Sequence, residues 1–199
     1  MRIYPDQSYR LIREAEDALK KIKSASGTDS VKRSFSTFLG STRSIFFPIH
    51  NMDEIKDLPS FKEWWKSKQD SLDNNKLSKF FYNLRNENLK SGIDILTVSF
   101  MIKGPSIIGS RSPDSVIQIG PEFGINEIPE KKLSKTFPRE DIFNTNITAI
   151  TFNLNKCSNK FIRKFAIFQN ADAISLSEKY LDYLKNIIDE YTDMFGRLN

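Results

Sequence analysis

The stretch Phe80–Ile102, FFYNLRNENLKSGIDILTVSFMI, changes its period part-way along. Before Gly92, the residues Leu77, Phe80, Phe81, Leu84 and Leu89 recur at helical spacing, so one face of a helix is apolar. Gly92 is placed to end that helix in the left-handed conformation that glycine adopts at no steric cost. After it, β-branched and aromatic residues alternate in part with polar ones, which is the pattern of a strand.

Upstream the chain reads as helices. Pro5 and Asp6 mark a first helix start, and Leu11, Ala15, Ala18, Leu19 and Ile22 form its stripe up to Gly27. Thr28, Asp29 and Ser30 are placed to cap a second helix. Its stripe is Val31, Phe35, Phe38, Leu39, Thr42, Ile45 and Phe46. The short connection predicts an antiparallel hairpin of the two. Pro59 opens a third helix with Phe61, Trp64, Trp65, Lys68 and Leu72 on one face, and Asp73-Asn74-Asn75 breaks it from the helix at 76–90.

Downstream of Gly92, DILTVSFMI, SVIQIG, NITAITFNL and KFIRKFAIF read as about four strands, punctuated by Gly104-Pro105, Pro113-Asp114 and Gly120-Pro121. Parallel pairing needs crossover helices, which the pattern lacks, so an antiparallel sheet is expected. Residues 131–146 form a charged loop. A last helix is capped by Ser175 or Ser177 and carries Tyr180, Leu184, Ile187, Ile188, Tyr191 and Phe195. The fold class is therefore α+β, in one domain over 1–199. A helical bundle over 4–92 and 172–197 carries an inserted antiparallel β-sheet, over 93–170, between the fourth helical segment and the C-terminal helix.

Composition narrows the function classes. A chain of 199 residues can bury a core without metal or disulfide support. Mean hydropathy is −0.45, no stretch approaches a membrane span, and the N-terminus has no apolar signal region, so a cytoplasmic protein without membrane contact is expected. Cys157 is the single cysteine, which excludes an internal disulfide, and with the single His50 it argues against zinc. Neither a glycine-rich phosphate loop nor a hydrolase or zinc-protease motif is present, and no cofactor is expected. Net charge is +5, with Lys131, Lys132, Lys135 and Arg139 in one basic group and Lys156, Lys160, Arg163 and Lys164 in another. These lysines fit either a nucleic-acid face or ordinary solvated loops and sheet edges.

The residues FKEWWKSKQDSLDNNKLSKFF followed by LRNENLK carry a resemblance. Phe61, Trp64, Trp65, Gln69, Leu72, Phe80, Phe81, Leu84, Arg85, Asn86 and Gly92 match a shape in which an Arg-Asn pair precedes a His and then a Gly. In that shape the chain resembles the HEPN superfamily, whose members are helical, often dimeric modules linked to RNA cleavage or RNA binding. The resemblance covers about the first half of the chain and the closing helix, and leaves the strands outside it. It implies an HEPN-like bundle, a homodimer, RNA as partner, and a bacterial defence or toxin–antitoxin setting. It also implies that Arg85, Asn86 and Lys90 form the site, with Lys90 standing where the family has His.

That departure matters chemically. Metal-independent RNA cleavage needs a group of near-neutral pKa to move the 2′-hydroxyl proton and a cation to stabilise the phosphate. Histidine meets the first need, whereas a lysine ammonium does so only when strongly desolvated. The resemblance therefore implies an RNA-binding or scaffold protein with a degenerate ribonuclease motif. An active metal-independent endoribonuclease, in which Arg85, Asn86 and Lys90 do the chemistry with or without His50, and a protein–protein interaction module stay open beside it. Lys131, Lys132, Lys135, Lys160 and Lys164 are the further candidates for nucleic-acid contact. Each feature also has a plain structural reading. Arg85 would pair with a carboxylate, Lys90 would complement a helix C-terminus, Trp64 or Trp65 would face the core, and Cys157 would be inert.

Overall fold

The computed structural model describes residues 5–53, 55–91, 95–103, 116–117 and 144–196, with side chains described outside 88–91, 100–103, 116–117 and 144–146. Within them the chain is α+β and mostly helical. The long helices are α1 (Asp6–Lys23), α2 (Thr28–Ser44), α4 (Pro59–Asn74), α5 (Lys76–Ser91) and α7 (Ala173–Phe195). Two short ones, α3 (Phe47–His50) and α6 (Asn159–Phe165), join them. The strands are β1 (Leu96–Lys103), β2 (Val116–Ile117) and β3 (Asn144–Phe152), in the order β2-β1-β3, all antiparallel.

The helix hairpin forms as its stripes require. Ser8 Oγ donates to Ile45 O at 2.7 Å, and Ser41 Oγ donates to Glu14 Oε2 at 3.5 Å. Pairing 8 with 45 and 14 with 41 makes α1 and α2 antiparallel. The α2 stripe is buried from Val31 through Ile45, with Phe46 half-buried. The expected cap at 28–30 is not made. Gly27 is the N-cap and no side chain caps α2.

Helix α7 returns against the bundle. Tyr9 donates its hydroxyl to Asp189 at 2.7 Å, and Lys185 pairs with Glu16 at 3.5 Å, so α7 also runs antiparallel to α1. Trp64 Nε1 and Lys68 Nζ both donate to Glu190, at 2.9 and 2.6 Å, which fixes α4 to the same helix. The Lys68 side chain is mostly buried, its stem packed while its head group reaches the partly exposed Glu190 carboxylate. The cap of α7 is Asp172, whose carboxylate accepts from the Ser175 backbone N–H at 2.6 Å; Ser175 and Ser177 lie inside the helix.

The break between α4 and α5 has a clear cause. Asn75 is extended, and its Oδ1 accepts from the backbone N–H of Leu77 at 2.9 Å and of Ser78 at 3.1 Å. It therefore caps two of the donors that α5 leaves unmet. Helix α5 then buries Phe80, Phe81 and Leu84. Gly92, its expected terminator, lies outside the described residues.

The sheet packs on the bundle through one face. Leu96, Val98, Ile150 and Phe152 are buried, and the register pairs Leu96 with Phe152 and Val98 with Ile150. The pairing slips by one residue between Ser99 and Phe100, a bulge that leaves Thr148 donating to Ser99 O at 3.3 Å. The Phe152 ring lies 5.8 Å from Phe35 and 5.0 Å from Phe80, joining strand to bundle. One buried cluster thus includes residues of both helices and strands.

The segment KFIRKFAIF is not a strand. It forms α6 and a 3-10 turn, Ala166–Phe168. Ser158 caps α6 by accepting from Phe161 N, and Phe161, Phe165 and Phe168 are buried at helical spacing. All three rings surround Phe80, the nearest being Phe168 at 4.3 Å. The aromatic content that suggested a strand belongs to a helix stripe of one short, fully packed face. Among the described residues no helix is long and apolar enough to cross a membrane.

Candidate nucleic-acid interface

The turn of α5 that buries Phe80, Phe81 and Leu84 presents Lys79, Tyr82 and Arg85 to a groove of about 700 Å³. Its other walls come from α2, through Thr42 and Arg43, from α4, through Trp65 and Asp70, and from α6, through Lys164. Four cations line the groove, namely Arg43, Lys79, Arg85 and Lys164, against the carboxylates Asp70 and Asp73. Among the described residues none of the four cations makes an ion pair with a carboxylate.

Arg85 is half-buried, and it makes neither a hydrogen bond nor an ion pair among the described residues. The plain structural role of a buried ion-pair partner is therefore not the one it has there. Asn86 does not line the groove. Its Oδ1 instead accepts from Arg43 Nη1 at 3.3 Å. Arg43 Nη2 donates to the Tyr82 hydroxyl at 3.3 Å, and the guanidinium lies 4.3 Å from the centre of that ring. Tyr82 and Asn86, one turn apart on α5, thus hold an arginine that arrives from α2. A guanidinium has five N–H donors, so Arg43 keeps donors for a ligand after both bonds.

The groove floor is aromatic. Tyr180 stacks on Phe81, with ring centres 4.5 Å apart and planes at 2°. Burial pushes its phenol well above the ordinary 10.0, and the nearby Arg43 charge pulls the other way. Trp65 is held against Phe61 and Phe46. Trp65 Nε1 and Ser78 Oγ, both on groove residues, are buried with no hydrogen-bond partner among the described residues.

The remaining expected site residues divide. The backbone of Lys90 belongs to α5, and its side chain lies outside the described residues, as do Lys131, Lys132 and Lys135. Lys164 reaches the groove, while Lys160 is exposed one turn earlier on α6 and does not line it. His50 does not line it either. It packs edge-on against Trp65 at 5.7 Å, in a neighbouring groove. Trp64 faces the core and Trp65 the groove, which splits the pair as adjacent helix positions require. Cys157 is buried, and burial followed by the Glu87 carboxylate pushes its thiol up to about 11, the behaviour of an inert thiol. Among the described residues no group of three or more His, Cys, Asp or Glu is placed to hold a metal ion.

Arg43, Lys79 and Tyr82 are the residues the motif reading missed. Tyr82 and Lys79 were within reach, since they precede Arg85 by three and six positions on one helix. Arg43 is brought in by the packing of α2 on α5, and no local pattern marks it. No family model, no curated protein and no solved structure matches the chain.

Proposed function

We propose that this chain is an HEPN-like RNA-binding protein that holds single-stranded RNA phosphates in the groove between α2, α4 and α5 without cutting them. One observation carries the reading. Arg85, the arginine of the motif, lines a groove with three further cations, and none of the four is neutralised by a carboxylate among the described residues. Unneutralised guanidinium groups accept phosphate oxygens through charge-assisted, often two-pronged hydrogen bonds. Tyr82 and Trp65 add π-faces, and cations interleaved with aromatic rings suit a single strand, whose bases are free to stack. The choice of RNA over other polyanions rests on the resemblance of LRNENLK and its upstream helix.

Binding without cleavage follows from the proton chemistry. The family's imidazole position is Lys90, and the chain's one imidazole, His50, lies in the next groove against Trp65. A cleft that gathers phosphate without a group of near-neutral pKa at the 2′-hydroxyl stabilises bound RNA and does not cut it. The same resemblance carries the proposal of a homodimer, which sedimentation tests. For RNA, end-labelled single-stranded RNA is incubated with the protein in EDTA, and binding and integrity are read together. The expected result is a retarded, intact RNA. Cleavage lost in Arg85→Ala would replace it with the ribonuclease reading, and no retardation at low salt would remove both.

A further inference from the structure

A second groove, of about 370 Å³, runs beside the first. Trp65 and Gln69 line both. They sit one turn apart on α4 and so form a ridge between the two grooves. The second groove is lined by Lys62 and Lys66 with the carboxylate of Asp57, and by Lys56, which is already paired with Asp53. Lys66 makes no ion pair or hydrogen bond among the described residues, and Lys62 pairs with Asp57 at 3.1 Å in an exposed position. Exposed pairs of that kind are weak, so phosphate can replace the carboxylate at little cost. Lys62, Lys66 and Gln69 fall at helical spacing along one side of α4.

We propose that the second groove continues the first as one track, so that a single strand crosses the Trp65–Gln69 ridge and lays its next phosphates against Lys62 and Lys66. The inference rests on the RNA reading above and adds to it that the strand continues past the first groove onto a second set of phosphate contacts. The cations lie on both sides of an aromatic ridge, the arrangement that follows a strand's alternation of backbone charge and base face.

The test compares two fluorescein-labelled oligouridylates, of about four and about sixteen nucleotides, the range of single-strand site sizes. Binding is measured across salt concentrations for the natural protein, Lys62→Ala/Lys66→Ala, Lys66→Gln and Arg85→Ala. Each lost phosphate contact lowers the slope of log K against log salt by about 0.7 for a single strand. The expected result is a slope lower by about 1.4 for the long oligomer in the double variant and by about 0.7 in Lys66→Gln, with the short oligomer unchanged. If the lysine variants keep the natural slope with the long oligomer while Arg85→Ala loses slope with both, the track is wrong and the first groove stands. If the natural protein binds neither oligomer, the RNA reading falls and the track with it. Both lysines are on the surface, so melting temperatures equal to the natural protein's certify the variants as folded.

Discussion

Arg43 on α2 donates to Asn86 on α5 at 3.3 Å, so the second residue of the Arg-Asn pair holds another arginine in place. Asn86 does not line the groove, and Arg43 does. The division of labour is a groove cation, Arg85, beside a positioning amide, Asn86.

Replacing Arg43 by Ala should therefore weaken RNA binding as Arg85→Ala does. The Arg43→Lys variant should recover little, because a lysine ammonium lacks the planar fork that bonds Tyr82 and Asn86 together. Asn86→Ala should weaken binding less than Arg43→Ala, since Tyr82 still holds the guanidinium. Fluorescence anisotropy with labelled RNA orders the three variants, and an Arg43→Lys protein that binds as well as the natural one would remove the fork from the account.

Phe80 joins the helices to the sheet, with Phe152 at 5.0 Å and Phe168 at 4.3 Å. Phe80→Ala should cost about 3–5 kcal/mol of stability, the range for a buried Phe whose cavity does not close. Urea unfolding reads it directly. A cost under about 1 kcal/mol would mean that this ring does not carry the contact between α5, β3 and α6.

The Cys157 thiol, pushed up to about 11 by burial and then by Glu87, should be nearly unreactive in the folded protein. At pH 8, well below that value, the thiol stays protonated, and the sulfur is buried besides. Iodoacetamide labelling followed by mass should be slow in buffer and complete in denaturant. Rapid labelling of folded protein would place the residue at the surface.

Glu190 receives Trp64 Nε1 and Lys68 Nζ, and the Lys68 hydrogen bond is the main cause holding its carboxyl below the ordinary 4.5. A carboxyl depressed in the folded state stabilises the protein above the unfolded value, and that contribution disappears as pH falls through the folded value. Glu190→Gln should then be less stable than the natural protein at pH 7, by under about 1 kcal/mol because the carboxylate is partly exposed. The gap should close in acid below 4.5. Denaturation at both pH values checks it, and a gap constant with pH would assign the effect to packing alone.

The helices were legible because their stripes are long and their punctuation is local. Val31, Phe35, Phe38 and Leu39 sit on one face whatever the neighbours, and Asn75 carries its own cap. Residues 160–168 were not, because a short run of Phe and Ile fits both periods, and the deciding signal was Ser158 capping just outside the run. Arg85 was singled out by the motif around it, and it lines the groove. Lys164 was picked out by the basic run around it, whereas Arg43 was not, since it reaches the groove only through the packing of α2 against α5, which no single segment encodes.

Whether Arg85 receives a phosphate is decided by the salt dependence of RNA binding in Arg85→Ala. Binding should be weaker, with a slope of log K against log salt about 0.7 shallower than the natural protein's and an unfolding free energy unchanged within about 0.5 kcal/mol. An Arg85→Ala protein that binds RNA with the natural affinity and slope would contradict it.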